Sequence, residues 1–250
     1  MPDELQIDQT LNPSPSTAEV RSDATSALTE DLALAELKNQ DLTSNVIEQI
    51  SRNTAAMKSR KVRIAVASHP RAPRRIALRI IRELYTFELM KFALMPAAAA
   101  DLKRVADELL LSRVTSITLG ERISLARRSS TLVAGALLLD KESQVWQPAL
   151  ENVRLTEAAV VKALQRSTAT RAFVEAVCHH AKWSVRREVQ VALLRNAHTP
   201  LAKALELARR IPARQLRDIL HTSKLPEGIK SQLRKEREIG GSDWHAVLLS

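Results

Sequence analysis

Apolar residues recur at intervals of three and four along most of the chain, from about Thr29 to residue 235. In LTEDLALAELKNQ this spacing puts Leu32, Leu34 and Leu37 on one side. In TSNVIEQISRNTAAM it does the same for Val46, Ile47, Ile50 and Met57. An interval alternating between three and four is the period of an amphipathic α-helix whose apolar side faces a core. The pattern therefore predicts an all-α protein.

Short breaks interrupt the helical pattern, each with Asn, or His before Pro, followed within a few residues by Pro or Thr in the clearest copies. Asn and a residue before Pro readily leave the helical region, while Pro and Thr favour the start of a helix. Each break thus predicts a tight hairpin of two helices. The predicted starts of the second helices are Thr43, Pro73, Ala99, Leu132, Thr156, Pro200 and Pro226. The long interval between Thr156 and Pro200 predicts a degenerate unit around RAFVEAVCHHAKWSVRREV.

The best copy of this unit is VRIAVASHPRAPRRIALRII, residues 62–81. It matches the pattern VRxxVAxHPxxPxxxLxxLA at Val62, Arg63, Ala67, His69, Pro70 and Pro73, and Ile76 lies one residue before its next leucine position. The pattern resembles the HEAT-like helical repeats, and is closest to units of the leucine-rich repeat variant type. This resemblance implies a right-handed α-solenoid of about six or seven stacked hairpins with an extended binding surface, and it implies no particular activity.

Composition and period divide the chain into three predicted parts. Residues 1–28 combine Pro, Ser, Thr and acidic residues without a period, and we expect a flexible acidic leader. Residues 29–238 form the predicted helical repeat domain. Residues 239–250 lose the period and form a predicted C-terminal tail, which Trp244, Val247 and Leu248 would dock on the last repeat.

Residue usage supports the helical prediction. Hydrophobic residues make up 45% of the chain and aromatic residues only 3%, and five glycines are few for a turn-rich β protein of 250 residues. The lone cysteine, Cys178, cannot form an internal disulfide, and the sequence lacks both a signal peptide pattern and an apolar run of membrane-spanning length. We therefore expect a cytoplasmic protein without a membrane span.

Charge is distributed unevenly along the sequence. Residues 1–45 hold nine acidic and two basic residues, a net charge of −7, so the rest carries +17 within the total of +10. A basic body of this kind attracts anionic partners, including acidic proteins, nucleic acid and anionic lipid, without selecting among them.

The densest basic cluster lies within one predicted hairpin. Its predicted partner-binding residues are Arg63, Arg71, Arg74, Arg75, Arg79 and Arg82. The last five follow helical spacing and would form an arginine stripe along the second helix, which could contact an acidic protein or track phosphates. An ordinary solvated face is the alternative. More basic residues continue in the C-terminal half, including Arg186, Arg187, Arg195, Arg209, Arg210, Arg214 and Arg217, and would form a groove only if they share one side.

No pattern in the sequence indicates catalysis or a cofactor. Cys178, His179 and His180 are adjacent, and successive helical residues point about 100° apart, so a core cysteine with surface histidines is favoured over a metal site. Asp140 near Trp146 resembles only weakly the sites of alkylpurine DNA glycosylases, because a second aromatic residue is missing. We therefore predict no enzyme, no cofactor and no metal. The predicted function is a protein interaction scaffold, and the alternative is nucleic-acid binding through a basic face.

Overall fold

A computed structural model describes residues 28–236 of the chain. The predicted leader, apart from its last residue, and the predicted tail therefore lie outside the described residues. The chain divides between Ile80 and Ile81 into two compact units. The described residues form sixteen helices and no strand, which confirms the all-α prediction for this part of the chain.

The helix bounds follow the predicted period closely. The first unit contains α1 Glu30–Leu37, α2 Ser44–Arg52, α3 Thr54–Met57, α4 Arg60–Ser68 and most of α5 Arg74–Glu83. The second unit contains α6 Thr86–Ala93, α7 Ala100–Arg113, α8 Leu119–Arg128, α9 Thr131–Leu137, α10 Ser143–Leu150, α11 Glu157–Leu164, α12 Arg171–His179, α13 Arg187–Arg195, α14 Leu201–Arg209, α15 Ala213–Thr222 and α16, residues 227–236. No helix among the described residues is long and apolar enough to span a membrane.

Side-chain caps fix where many of these helices begin. The hydroxyl of Thr118 accepts the backbone N–H of Glu121, and the Glu121 carboxylate accepts the N–H of Thr118, so α8 starts with a reciprocal capping box. Thr156 and Thr170 cap α11 and α12 through their hydroxyl groups. Each cap satisfies an N–H group that a helix leaves without an internal partner.

In the first unit, α4 packs against α1, α2 and α3. The apolar core of this unit includes Ala33, Ile47, Val62 and Val66, which all have no exposed surface. Of the apolar sides predicted for α1 and α2, Leu37, Ile47 and Ile50 are buried, whereas Leu32 is 54% exposed.

In the second unit, helices pack on the next helix but one as well as on their neighbours. The helices α7, α9, α11, α13 and α15 contact one another in succession, and α8, α10 and α12 do the same. Trp146 and Trp183 are 4% and 2% exposed and fill the core around α10 and α12, while Trp146 meets Phe173 edge to face at 5.9 Å between ring centroids.

Buried polar side chains link the ends of these alternate helices. We call His69, Asn152, Asn196 and Ser223 the bridging residues; each lies one or two residues after the end of a helix and is at most 8% exposed. Asn152 donates from Nδ2 to the carbonyl oxygens of Ala126, at 2.9 Å, and Ser129, at 3.2 Å, and its Oδ1 accepts the N–H of Arg154 at 2.8 Å. It thereby joins the end of α10 to the end of α8.

The other bridging residues repeat this arrangement. Asn196 Nδ2 donates to the Leu164 carbonyl and Ser223 Oγ to the Leu194 carbonyl, both at 2.6 Å. In the first unit, His69 Nε2 lies 3.0 Å from the Asn39 carbonyl, and its Nδ1 accepts the N–H of Arg71. The turn role predicted for His69 is therefore confirmed.

The predicted second-helix starts agree with the structure over most of the chain. Thr43, Ala99 and Thr156 are the residues immediately before α2, α7 and α11, and the degenerate unit is present as α12 and α13. The last two predicted starts differ from the structure by one helix. The second helix of a hairpin, such as α11, packs in the same series as α13 and α15, but Pro200 and Pro226 precede the helices that follow these two, α14 and α16.

Candidate functional site

The arginine stripe is less uniform in the structure than its spacing predicts. Arg74, Arg75 and Arg79 are exposed on α5, but Arg71 lies in the turn before this helix because α5 begins only at Arg74, after Pro73. Arg63 is half-buried on α4. Arg82 is exposed on α5 beyond the division, in the second unit.

Two stripe residues already have acidic partners in the first unit. Arg71 forms an ion pair with Asp41, with 3.2 Å between Nη2 and Oδ1, and Arg75 pairs with Glu48. The Arg75 guanidinium, with help from Arg52, holds the pKa of the Glu48 carboxyl below its ordinary value, although partial desolvation opposes this. These pairs reduce the positive charge that the stripe offers to a partner.

An apolar groove of about 490 Å³ lies on the second unit, along α7, α9 and α11. We define it by its apolar lining residues, which are Leu111, Leu132, Gly135, Ala136, Leu139, Ala159 and Ala163. Leu132 is 43% exposed, although a leucine side chain gains by leaving water. The groove therefore presents apolar surface to solvent at a concave place, as binding sites do.

The floor of the groove depends on a small residue. A Cβ atom added to Gly135 on α9 would meet the Cβ of Ala159 on α11 at 3.2 Å, which is closer than ordinary van der Waals contact. Beside it, the hydroxyl oxygens of Thr131 and Thr156 lie 3.3 Å apart, at the N-terminal ends of the same two helices. Close approach of α9 and α11 leaves the larger Leu132 and Leu111 as the sides of the groove.

The charged lining of the apolar groove is entirely positive. Lys162 and Arg166 are both exposed and line it, and no acidic side chain does. Neither cation takes part in an ion pair within residues 28–236. The groove thus combines apolar surface with unneutralised positive charge.

Arg166 also lines a second concave site, which we call the basic pocket. This pocket measures about 470 Å³ and lies where α11, α13 and α15 end. Its ionisable lining residues are Arg166, Arg195, His198 and Lys224. No carboxylate lines it, and across the described range Arg195 and Lys224, like Arg166, form no ion pair.

Sequence reasoning listed Arg195 among the C-terminal bases and missed its two companions. A signal was present, because Arg166, Arg195 and Lys224 are spaced 29 residues apart, within the range of intervals between the predicted breaks. Residues that are separated by the length of one repeat occupy equivalent positions in successive hairpins. The apolar groove carried no such signal, since its residues are spaced like those of any buried helix face.

The three-residue segment Cys178 to His180 is divided between core and surface. Cys178 is 1% exposed, and burial raises the pKa of its thiol to about 11, so the thiolate that a metal or a nucleophilic reaction needs is disfavoured. His179 is exposed, whereas His180 is half-buried and its Nε2 lies 3.1 Å from Glu151 Oε1. The core cysteine is confirmed, but only one of the two histidines lies at the surface. Nowhere in residues 28–236 do three His, Cys, Asp or Glu side chains form a group able to hold a metal ion.

Asp140, the acid considered near Trp146, has a structural role. Its Oδ2 lies 3.5 Å from Arg122 Nε, and its Oδ1 accepts the N–H of Glu142 at 3.0 Å in the turn before α10. Only 6% of its side chain is exposed. Asp140 therefore holds a turn and has little surface with which to meet a substrate.

Comparison with known proteins adds no relative. No protein-family model, no curated protein and no solved structure matches this chain.

Proposed function

We propose that the chain is a non-enzymatic, cytoplasmic protein interaction scaffold built from HEAT-like helical hairpins. In this proposal the hairpins stack into a right-handed α-solenoid and the second unit binds an acidic segment of another protein. Support for the architecture comes from the succession of alternate helices and from Asn152, Asn196 and Ser223, which join helix ends two elements apart.

The observation that carries the proposal is the apolar groove with its positive rim. An amphipathic helix or extended segment could place apolar side chains between Leu132 and Leu111, over the small residues of α9 and α11. Acidic side chains on the same segment would then reach Lys162 and Arg166. Charge complementarity of this kind selects partners and speeds association more than it adds affinity.

Peptide display against the purified full chain tests this function. We expect enrichment of acidic amphipathic sequences, and we expect Leu132→Asp to weaken their binding at least tenfold, because it puts a charge of the wrong sign against the apolar surface. Val153→Asp is the matched control, since Val153 is 82% exposed and does not line the groove. The binding constants of selected peptides are measured by fluorescence anisotropy for all three proteins.

Two results would contradict the proposal. One is a display experiment that enriches no acidic amphipathic sequence. The other is a selected peptide that binds Leu132→Asp as tightly as it binds the unchanged chain and the Val153→Asp control.

The predicted contact through the arginine stripe and the alternative of nucleic-acid binding both stay predictions. For the stripe, Arg74→Glu combined with Arg79→Glu should abolish partner binding if it is the contact surface. For nucleic acid, duplex binding measured over a salt series should weaken steeply as salt rises, because phosphate contacts release counterions. Binding that hardly depends on salt would contradict that alternative.

A further inference from the structure

We propose that the basic pocket binds a phosphate monoester carried by the protein partner, with Arg166, Arg195 and Lys224 as its cationic ligands. The proposal deepens the proposed function and rests on it, because it states which chemical group the partner brings beside the apolar groove. Arg166 lines both sites, so one bound segment could occupy them together.

The walls of the basic pocket are held by buried polar side chains. Asn196 joins the end of α13 to the Leu164 carbonyl and accepts the N–H of His198 at 2.8 Å. Ser223 joins the end of α15 to the Leu194 carbonyl and accepts the N–H of Leu225 at 3.0 Å. Arg195, at the end of α13, and Lys224, after α15, therefore project from fixed backbones, which lowers the entropy that binding must overcome.

Helix dipoles alone do not explain this cluster of cations. A helix ends in carbonyl oxygens without internal partners, and basic residues near such ends are favoured. Here those carbonyls already have donors. Thr199 Oγ donates to the Leu193 carbonyl at 2.6 Å, and the N–H of Lys224 donates to the Arg195 carbonyl at 3.0 Å, in addition to the Asn196 and Ser223 bonds. The cationic side chains are therefore left to face the solvent within the pocket.

The charge and size of the pocket favour a monoester over a nucleic acid. A phosphate monoester carries about −1.5 to −2 charges at pH 7, whereas each phosphodiester of a nucleic acid carries one. Three cations without a neighbouring carboxylate repel one another, and a compact dianion relieves more of that repulsion than a monoanion does. The recess is half open to solvent and measures about 470 Å³, so a compact phosphoryl group carried on a side chain can enter it.

The test uses a small probe that does not depend on the apolar groove. Acetyl-Ala-phosphoserine-Ala-amide is titrated into the full chain and followed by amide chemical shifts and calorimetry. We expect shifts at and around Arg195, His198 and Lys224, and we expect the double variant Arg195→Gln, Lys224→Gln to bind at least tenfold more weakly. The double variant Arg127→Gln, Arg214→Gln removes the same charge at exposed positions outside both sites, and it should change binding less than twofold.

Several outcomes would overturn the inference. One is that the unphosphorylated tripeptide binds as tightly as the phosphorylated one. Another is that the two double variants lose the same amount of phosphopeptide affinity. A third is that a duplex DNA of defined length binds through Arg195 and Lys224 more tightly than the phosphopeptide at the same salt. If the pocket double variant loses helical circular dichroism, Arg166→Gln replaces it, since Arg166 is exposed beyond the end of α11.

The design also separates this inference from the proposed function. If the phosphopeptide binds at the pocket but no amphipathic peptide is enriched, this result would contradict only the proposal that the apolar groove binds a peptide segment. Enriched peptides that need Leu132, together with no phosphopeptide binding, would contradict the phosphate site alone.

Discussion

At the scale of single residues, the bridging residues show how one side chain satisfies several backbone groups. Asn152 has no exposed surface, and its amide donates to two carbonyl oxygens while accepting one N–H. Only an amide of this length offers both donors and an acceptor there. The sequence marks Asn152 as a helix break, but the partners Ala126 and Ser129 are more than 20 residues away and cannot be inferred from the break itself.

Replacing Asn152 tests this role. Asn152→Ala should lower the free energy of unfolding by about 2–3 kcal/mol, because buried carbonyl and N–H groups lose their partners. Asn152→Asp should cost more at pH 7, since its carboxylate can donate to neither carbonyl, and less near pH 4, where a protonated carboxyl can donate to one of them. Urea unfolding at both pH values measures the difference. Asn45→Ala on the exposed face of α2 is the control, and a similar loss there would contradict the role.

A second residue with marked energetics is Asp107, buried on α7 at 8% exposure. Its Oδ1 has no hydrogen-bond partner, and burial raises the pKa of its carboxyl, a shift that Ser130 partly opposes. Because the folded chain holds this proton more tightly than the unfolded chain, Asp107 takes away stability as the pH rises from the ordinary pKa through the raised one.

Asp107→Asn should therefore stabilise the protein at pH 7, by about 1 kcal/mol. The gain should shrink as the pH falls from the raised pKa of Asp107 to the ordinary aspartate value, below which Asp107 is protonated in both states. Chemical unfolding of both proteins across this range measures the gain. Asp218→Asn on the exposed side of α15 should change little at any pH. A gain that grows toward acid pH would contradict the assignment.

At the scale of helices, the contact between α9 and α11 sets the shape of the apolar groove. Gly135 lies inside α9, where glycine costs about 1 kcal/mol of helix stability relative to alanine. The close approach of Ala159 explains why a larger residue would be crowded there. Local helix preference and packing between helices therefore oppose each other at this position.

A double-mutant cycle measures that opposition. Gly135→Ala alone should raise the free energy of unfolding by much less than 1 kcal/mol, because its new methyl group crowds Ala159. The same change in an Ala159→Gly background should give about 0.5–1 kcal/mol more, the usual coupling between residues in contact. Gly120→Ala is the matched control, since nothing lies within 4 Å of the added Cβ atom. Equal gains in both backgrounds would show that the contact imposes no cost.

Helix starts could be predicted well from Asn, Pro and Thr, because these residues act on the backbone within a few positions. What failed was the pairing of the last hairpins, in which Pro200 was predicted to start the second helix of a hairpin but precedes α14, outside the series of α11, α13 and α15. Proline marks a boundary without saying which layer the next helix joins. That choice depends on apolar contacts between α11, α13 and α15, which lie about 30 residues apart in sequence.

At the scale of the whole molecule, the described helices of the second unit contact mainly near neighbours in the chain. Stability in such an arrangement is close to a sum of local terms, so damage spreads only a short distance. Trp183 is a useful probe, because its Nε1–H donates to the Leu150 carbonyl at 2.9 Å and so joins the segment after α12 to the end of α10.

Trp183→Phe should speed amide hydrogen exchange in α10 and α12 at least tenfold, because it removes this hydrogen bond and leaves a void in the core. Exchange in α7 should change less than twofold. Mass spectrometry of peptides from the exchanged chain gives these rates. Uniform acceleration of all the helices would show that the second unit unfolds as one cooperative block.

The whole molecule also shows why its sites were hard to predict. A net charge of +10 indicates an anionic partner without giving a place for it, and the densest run of arginines is partly neutralised by Asp41 and Glu48. The basic pocket instead takes one cation from the end of each of three helices, α11, α13 and α15. Its residues become neighbours only through packing, so density along the chain was a poorer guide than periodic spacing.

The bridging residues have a consequence for proteolysis. Trypsin cleaves after Arg and Lys in segments that can open into an extended strand, and Arg154, Arg195 and Lys224 stand beside bridged turns. At Lys224 the backbone N–H donates to the Arg195 carbonyl, and at Arg154 it donates to Oδ1 of the bridging residue Asn152. To be cut there, the chain must first release a buried Asn or Ser from its partner carbonyl. The bridges thus protect the turns that carry the pocket cations from the digestion to which exposed basic turns are usually open.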